Sequence, residues 1–308
     1  MSESAGRAVL VTGAGSGIGR ATAERLAKAG YRVFAGARQA HHLDELRALA
    51  GVEPLSLDVR DPARVADAVG RVRETGLPLA GLLQCAGVGG IGYLHTFTDE
   101  EVRNLFETNV FAVVRLTNAC LPLLLESRGR VIVVGSQGGH VSMRFLGPYT
   151  MTKHALEAYI IALDEELSPH GVRAVLVDPG GVRTSIGEKS AASDRARFER
   201  ANAPFRETAR QVLEGMQDPL PEFDPSRPES PANRNPVPAE AVAGVLETQL
   251  TAADPPLRVI VGTTWEGTRI FRELARRMAQ VNRSPQHRHA RDELVAYLDA
   301  ALRDGEPS

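Results

Sequence analysis

The chain has 308 residues, a length that fits one large domain or two small ones. Hydrophobic residues make up 43% of it and charged residues 24%, which are the proportions of a globular protein. The formal net charge of -2 gives no electrostatic reason to expect nucleic acid or an anionic membrane as a partner.

The two cysteines and the N-terminus bear on location. Neither Cys85 nor Cys120 belongs to a CxxC pair, which argues against a zinc site or a disulfide scaffold and fits a reducing cytoplasm. The short polar N-terminus lacks a charged-then-apolar signal pattern. No uninterrupted apolar run approaches the roughly 18 residues that a membrane span needs. We therefore predict a cytoplasmic protein without a membrane span.

Strand-like and helix-like segments alternate over the first two-thirds of the chain. Apolar runs typical of buried strands lie at residues 8–11, 31–37, 55–57, 81–83, 130–134 and 172–177. Apolar residues recur at helical spacing over residues 17–29, 62–75, 99–126 and 149–167. Strands separated by helices indicate an α/β fold with a parallel sheet that is covered on both faces.

The pattern changes after Thr184. Residues 188–217 are polar and indicate a helix, whereas the proline-rich residues 218–238 indicate an ordered loop or a mobile flap. Residues 239–250 predict a helix, 257–261 a last strand and 265–281 an amphipathic helix. We expect a core over residues 1–185, a substrate-covering segment over 186–238, and an extension of the same domain over 239–308.

A glycine-rich turn follows the first strand, with the sequence Thr12-Gly13-Ala14-Gly15-Ser16-Gly17-Ile18-Gly19. Glycine lets the backbone turn tightly and approach a pyrophosphate, while the helix that begins at Gly17 points free amide groups at the anion. An isolated glycine run would be a flexible turn. Here a strand precedes it and a helix follows, which is the context that a dinucleotide site requires.

The spacing TGxxxGxG resembles the short-chain dehydrogenase/reductase family, in its shorter, single-domain branch. The resemblance implies a doubly wound, Rossmann-type parallel sheet with a helical C-terminal extension. It also implies a nicotinamide cofactor on the motif residues Gly13, Ser16, Gly17, Ile18 and Gly19.

The end of the second strand bears on the choice of cofactor. A carboxylate there would bind the 2'-hydroxyl of NAD, but Ala37 is followed by Arg38, whose guanidinium can pair with a 2'-phosphate. NADP(H) is favoured and NAD(H) stays possible, because Arg38 could equally be a solvated surface residue. By resemblance, Asp58 contacts the adenine amino group and the following Val59 belongs to the same site.

Tyr149 and Lys153 form a YxxxK pair that shares one face of a helix. A phenol is a weak acid–base group at neutral pH, and a nearby ammonium favours its phenolate form. An isolated YxxxK match is usually a chance match on a surface helix. Here, however, Ser136 precedes Tyr149 by thirteen residues and lies at the carboxyl end of a predicted strand. The set resembles the family's Ser–Tyr–Lys arrangement, which implies that Ser136 holds the substrate oxygen, Tyr149 exchanges its proton, and Lys153 tunes Tyr149 and binds the nicotinamide ribose.

Three further segments match family positions. Asn109 matches the asparagine that keeps a relay water. The segment from Asp178 to Thr184 resembles the PGxxxT loop, so the resemblance implies that Pro179, Gly180, Val182 and Thr184 contact the cofactor. Gln84-Cys85-Ala86-Gly87 stands where the family has NNAG. Ala86 and Gly87 keep their expected place beside the cofactor, while the missing asparagine puts the local geometry in doubt.

The histidine pairs His41-His42 and His287-x-His289 lack cysteine or acidic ligands at metal spacing, so no metal site is expected. The GSxGG form around Ser136, together with the long C-terminal third, resembles the 17-beta-hydroxysteroid and retinol dehydrogenase members. That resemblance implies hydride transfer between a nicotinamide and a hydrophobic alcohol or carbonyl compound. The alternatives are a cofactor-binding regulatory protein without turnover, or a dehydratase or epimerase on the same fold.

The resemblance also implies a homodimer or homotetramer. Two predicted helices carry broad apolar faces, at Val102, Leu105, Phe106, Val110 and Val113, and at Leu156, Tyr159, Ile160 and Leu163. In the family the equivalent helices pair across a two-fold axis. The alternative is that these faces only cover the sheet.

Overall fold

A computed structural model of the chain describes residues 4–216, 222–286 and 288–304. Seven parallel strands form one sheet in the order β3-β2-β1-β4-β5-β6-β9. The strands are β1 (Ala8–Thr12), β2 (Arg32–Ala37), β3 (Val52–Ser56), β4 (Leu79–Gln84), β5 (Arg130–Val134), β6 (Arg173–Pro179) and β9 (Arg258–Val261). The short strands β7 (Val182–Arg183) and β8 (Val237–Pro238) pair with each other. The strand order reverses between β1 and β4, and this is the place where open α/β sheets bind ligands.

Eleven α-helices accompany these strands in the described residues. They are α1 (Gly17–Lys28), α2 (Ala40–Arg47), α3 (Pro62–Glu74), α4 (Asp99–Phe106), α5 (Ala112–Ser127), α6 (Gly147–Leu167), α7 (Ile186–Glu199), α8 (Arg206–Gly215), α9 (Ala239–Thr251), α10 (Thr264–Val281) and α11 (Arg291–Asp304). Local chemistry begins some of them: the Asp61 side chain accepts the amides of Ala63 and Arg64 at the start of α3, and Thr98 forms a capping box with Glu101 on α4.

The sheet is covered on both faces, as the alternating sequence predicts. Helices α3, α5 and α6 pack on one face around buried residues such as Leu82, Leu116 and Leu156. Helices α1, α2 and α9 pack on the other, around residues such as Val11 and Leu246. The fold is therefore a doubly wound Rossmann-type domain with a helical C-terminal extension. The chain divides into two compact units between Gly267 and Thr268.

The structure corrects the boundaries of several predicted elements. The single helix expected over residues 188–217 is two helices, α7 and α8, because Pro204 between them lacks the N–H that a continuous helix would need. The third strand begins at Val52 and includes Pro54, which is tolerated because β3 is an edge strand paired only with β2. Helices α2 and α11 were not predicted; α2 buries only Leu46 and so lacks a clear apolar stripe.

The helical stretch Asp99–Ser127 is long and apolar enough, by length and composition, to cross a membrane. Half of its most apolar window is buried within the protein, and α5, its second part, packs on β4, β5 and α3. A helix that covers a sheet in a protein core passes the same test of length and composition.

Candidate active site

The glycine-rich turn between β1 and α1 has the geometry that brings backbone close to a ligand. Gly13 has φ +65, and a Cβ on it would lie 2.8 Å from the Cα of Ala86, at the end of β4. Ser16 is the N-cap residue of α1, and its side chain does not cap the helix. The first amides of α1 therefore face the cleft above the sheet, which is how helix N-termini bind phosphate groups.

A cleft of about 580 Å³ opens above the strand-order reversal. Eleven of the predicted cofactor residues line it: Gly13, Ser16, Gly17, Ile18, Gly19, Arg38, Asp58, Val59, Ala86, Gly87 and Thr184. The other predicted cofactor residues, Tyr149, Lys153, Pro179, Gly180 and Val182, do not line this cleft. The cleft thus gathers glycine-loop, β2-end and β4-end residues on one surface.

Two exposed cationic side chains, Arg38 and Lys189, line the cleft. His42 lines it as well, and burial lowers the pKa of its imidazole. Asp58 is engaged by Arg60, whose Nη2 lies 2.7 Å from Asp58 Oδ2. This hydrogen bond holds the pKa of the Asp58 carboxyl below its ordinary value. Sequence reasoning missed both Arg60 and Lys189; the Nζ of Lys189 donates to Ser16 Oγ at 2.7 Å.

Gln84 resolves the doubt raised by the missing NNAG motif. Its Nε2 donates to Thr117 Oγ1 at 2.8 Å and to the Val113 carbonyl at 3.3 Å, both on α5. The amide of Ala86 donates to Thr12 Oγ1 at 3.1 Å, which joins the ends of β1 and β4. The amide side chain of Gln84 therefore braces the sheet against α5, and the loop that lines the cleft is held in place.

Ser136, Tyr149 and Lys153 converge at the carboxyl edge of the sheet. Ser136 follows β5, and its Oγ accepts the Gly138 amide at 3.0 Å. A Cβ on Gly138 would lie 3.4 Å from both Ser136 Oγ and Cε1 of the Tyr149 ring, so these two side chains flank the same α-carbon. The Nζ of buried Lys153 lies 5.7 Å from the Tyr149 ring centroid and donates to the Val134 carbonyl at 3.0 Å. The structure thus brings the three residues together.

Asn109 lies in a π-helical segment, Glu107–Phe111, between α4 and α5. Its Oδ1 accepts the Val88 amide at 2.9 Å, and its Nδ2 donates to the Val88 carbonyl and to Thr152 Oγ1. These bonds tie the loop after β4 to helix α6. Because both Nδ2 protons are used, a relay water would have to bind the remaining lone pair of Oδ1 or a nearby main-chain group.

The loop after β6 is held by an acidic residue that sequence reasoning missed. Glu266 is buried, its Oε1 accepts the Gly181 amide at 2.8 Å, and the same oxygen pairs with Arg234 at 2.8 Å. Gly180 donates its amide to the Val261 carbonyl of β9 at 2.8 Å. The PGxxxT-like loop is therefore held in place by Val261 and Glu266, which lie more than eighty positions later in the chain.

Helix α7 begins at the cleft and ends in a buried ion pair. Asp194 and Arg197 pair with each other, and both are about 4% exposed. Asp194 Oδ1 accepts the Ile91 amide at 3.0 Å, and Arg197 donates to the Ile91 carbonyl at 3.0 Å and to Glu101 at 3.1 Å. The second half of α7 is therefore fixed to the segment after β4. The many charged residues of α7 instead suggested a solvent-exposed helix.

An aromatic cluster lies beside this attachment. Phe145 packs edge-on against Tyr93 and Phe198, with ring centroids 5.0 and 5.1 Å away. Phe145 has φ +70, an uncommon conformation for a bulky residue, and its carbonyl accepts the Gly92 amide at 2.9 Å. Strain of this kind persists only where surrounding contacts impose it, and it clusters at functional sites.

Of the two thiols, Cys120 is buried, whereas Cys85 is half-buried and lines the cleft. Burial raises the pKa of Cys85 to about 12, and burial does the same to the pKa of Cys120. The pair His41-His42 lies on α2, and His287 lies outside the described residues. Within the described residues, one trio could hold a metal by spacing: His140, Glu157 and Asp178, with ligand atoms within 4.8 Å of one another.

Comparisons with known proteins show which family the chain resembles. A family model described as short chain dehydrogenase matches residues 7–195. Estradiol 17-beta-dehydrogenase 2 of Mus musculus is 37% identical over 190 residues, which cover 58% of this chain and 49% of that protein. The chain therefore spans about half the length of that relative.

Two other similarities extend further along the chain. The NADPH-dependent 3-dehydrocapnine reductase of Ornithobacterium rhinotracheale is 31% identical over 268 residues, 83% of this chain and 88% of that protein. The crystal structure of a short-chain dehydrogenase from Streptomyces avermitilis superposes with a TM-score of 0.70 at 27% identity, covering 99% of this chain and 100% of that one.

Proposed function

The chain belongs to the short chain dehydrogenase family and is an oxidoreductase, and on that premise we propose that it interconverts a hydrophobic alcohol and its carbonyl compound with NADP(H). The observation that carries this proposal is the placement of Ser136 Oγ and the Tyr149 ring about Gly138, with the Lys153 ammonium buried beside them.

The proposed proton chemistry follows from hydrogen bonds already in place. Ser136 Oγ accepts the Gly138 amide, so its own proton is available to a substrate oxygen. Tyr149 gives its phenolic proton to that oxygen in carbonyl reduction and accepts one from the hydroxyl in alcohol oxidation. Lys153 donates one of its three ammonium hydrogens to the Val134 carbonyl, and this hydrogen bond keeps the ammonium group beside Tyr149. The bound nicotinamide supplies or accepts the hydride.

The cleft fits a nicotinamide dinucleotide. Its glycine loop leaves no room for side chains where the pyrophosphate would approach, and the N-terminus of α1 faces the same point. We assign the 2'-phosphate to Arg38, because the end of β2 offers a guanidinium and no carboxylate. The relative from Ornithobacterium rhinotracheale is named as an NADPH-dependent reductase, which supports the same choice.

We assign residues 186–238 to covering the substrate, although residues 217–221 of this segment lie outside the described residues. Helices α7 and α8 leave the sheet just after the β6 loop and carry half-buried Val212, Leu213 and Met216 next to the aromatic cluster of Tyr93, Phe145 and Phe198. Apolar walls with few polar groups suit a hydrophobic ligand. The name of the Mus musculus relative points to a steroid, one substrate within this class.

The test is cofactor absorbance at 340 nm (from the reduced nicotinamide) with a panel of hydrophobic ketones and secondary alcohols. We expect turnover with NADPH or NADP+, and at least a roughly 100-fold loss in Tyr149→Phe with unchanged cofactor affinity. Tyr159→Phe on the same helix is the matched control and should keep wild-type rates. Cofactor binding without turnover on any substrate would favour the regulatory alternative. Product formation without net change in absorbance would favour a dehydratase or epimerase.

We also propose a homodimer or homotetramer. The sequence-based expectation relied on nine apolar residues. Six of them are buried within the chain itself, namely Leu105, Val110, Val113, Leu156, Ile160 and Leu163, and the other three, Val102, Phe106 and Tyr159, are half-buried. Exposed apolar residues on the outer faces of the same helices, Phe111 and Met151, are available for a partner. Light scattering should return a multiple of 33.1 kDa; a monomer mass at micromolar concentration would reject the proposal.

A further inference from the structure

Four ionisable side chains are clustered around the turn that carries Ser136. They are His140, Glu157, Asp178 and Arg258. Asp178 is 1% exposed and His140 is 5% exposed. Burying charged and polar groups is costly unless they bond to one another, so this cluster requires an explanation beyond chance surface pairing.

The Asp178 carboxylate binds both ends of the short turn that carries Ser136. Its Oδ1 accepts the Ser136 amide at 2.8 Å, and its Oδ2 lies 2.9 Å from Nε2 of His140. Because an ionised carboxylate can only accept, Nε2 of His140 carries the proton in this contact. Gly135 precedes Ser136, and a side chain at that position would collide with Asp178 Oδ1. The turn is therefore closed over the carboxylate.

The other two members connect this turn to the rest of the site. Glu157 lies on α6, one turn after Lys153, and its Oε2 is 3.9 Å from His140 Nε2. Arg258 on β9 bonds Glu157, and its Nε lies 4.0 Å from Asp178 Oδ2. Asp178 itself directly precedes the Pro179-Gly180 loop. The cluster thus joins the Ser136 turn, the Tyr149–Lys153 helix and the loop after β6.

A metal ion is not needed to explain the trio of His140, Glu157 and Asp178. The Arg258 guanidinium reaches both carboxylates and supplies the positive charge that a cation would bring. One oxygen of Asp178 is already bonded to an amide, and the other to His140. The geometry favours a hydrogen-bonded network over a metal site.

We propose that Asp178 and His140 are positioning residues that hold Ser136 so that its Oγ faces the substrate oxygen. The inference rests on the proposed function, since it concerns the orientation of a residue assigned to that reaction. Asp178 fixes the main chain of Ser136, and His140 fixes the second oxygen of Asp178. Without the His140 donor, the carboxylate rotates towards Arg258 and the amide of Ser136 loses its acceptor.

The experiment compares His140→Leu, which lacks a donor, with His140→Gln, whose side-chain amide can donate to Asp178. We expect His140→Leu to lower kcat roughly 10–100-fold, because displacing a reacting group by about 1 Å costs up to that much. The Kd of NADPH should stay within about twofold, and His140→Gln should recover most of the rate. Unchanged kcat in His140→Leu would overturn the proposal.

A double-mutant cycle separates positioning from general loss of stability. In a Ser136→Ala background, His140→Leu should cause no further loss in single-turnover rate, because its effect acts through Ser136. An equal loss in both backgrounds would overturn the proposal. Asp164→Asn is the matched control: Asp164 also accepts a main-chain amide, that of Ala174, and pairs with Arg173, but at the other end of β6. It should leave kcat unchanged.

A readout without substrate distinguishes failure of this proposal from failure of the proposed function. Hydrogen exchange at the Ser136 amide should rise in His140→Leu, while exchange in β1 and α1 stays at the wild-type rate. If wild-type protein turns over none of the panel, the proposed function fails, and exchange alone judges the network. Equal protection of the Ser136 amide in wild type and variant would overturn it in either case.

Discussion

The region around Ser136, Tyr149 and Lys153, where the end of β5 meets α6, differs from α7, the next α-helix along the chain, in how its polar side chains are held. In the first of these regions, buried groups bond to neighbours on several elements, as Asp178 and Lys153 do. Along α7 only the second half is bonded in this way, through Asp194 and Arg197. In its first half, Lys189 makes a single cross-contact, to Ser16.

The difference distinguishes a region whose side chains are held in fixed positions from a region that has fewer such contacts. Reacting groups need fixed geometry, and the groups proposed to react lie on the turn after β5 and on helix α6. Entry of a large cofactor and substrate needs a part that opens, and such parts have few buried contacts. We expect helix α7 to combine both, with its bonded second half as the support about which the first half moves.

The largest expected effect comes from breaking the fixed half of α7. Arg197→Met leaves Asp194 buried without its cation, which we expect to lower the free energy of unfolding by about 3–5 kcal/mol. Thermal and urea unfolding measure this. Arg210→Met on α8 is the control, since Arg210 and its partner Glu207 are both exposed, and it should leave the unfolding curve unchanged. Equal stability of the two variants would show that the ion pair does not fix α7.

A smaller effect is expected at Arg38, which lines the cleft. If Arg38 pairs with the 2'-phosphate, Arg38→Ala removes a hydrogen bond between charged groups worth about 1.5–3 kcal/mol, or roughly 10–150-fold in the Kd of NADPH. The Kd of NADH should hardly change. Arg64→Ala, on the exposed side of α3, should alter neither value. Fluorescence titration decides, and an equal loss for both cofactors, or a wild-type preference for NADH, would contradict the assignment.

Hydrogen exchange along α7 sharpens the comparison directly. Residues 186–193 should exchange fast in the free protein and slow down when NADPH and a substrate analogue are added. Residues 194–200 should be protected in both states, because Asp194, Arg197 and Phe198 are buried. Equal protection along the whole helix would mean that α7 is scaffold and that the covering segment does not move.

The smallest effect concerns the two thiols, those of Cys85 and Cys120. Because burial raises the pKa of Cys85 and Cys120 to about 12, neither forms thiolate at pH 8, and native protein should resist iodoacetamide. An unfolded thiol ionises near pH 9.0, so the raised pKa contributes stability below that pH, and the contribution is lost as pH rises towards 12. Denatured protein is the positive control, and rapid native labelling at pH 8 would contradict this.

Much of the fold follows from short-range patterns. The strands at β1, β2, β4, β5 and β6 were predicted because buried parallel strands are continuous apolar runs. The edge strand β3 was placed too late in the chain, since Pro54 reads as a strand breaker unless the neighbouring edge is known to be open. Helix α2 was missed because it buries one residue, Leu46. Pattern reasoning succeeds where burial is regular and fails where it is slight.

The sequence by itself determined the glycine turn, the Ser136–Tyr149–Lys153 spacing and the alternation of strands and helices, because each depends on residues close together in the chain. Only the tertiary structure decided what holds them. Gln84 braces α5, Glu266 supports the loop after β6, and Asp178 meets His140 across 38 positions. Such contacts form when the sheet brings strand ends to one edge, and no local spacing records which distant side chains will meet there.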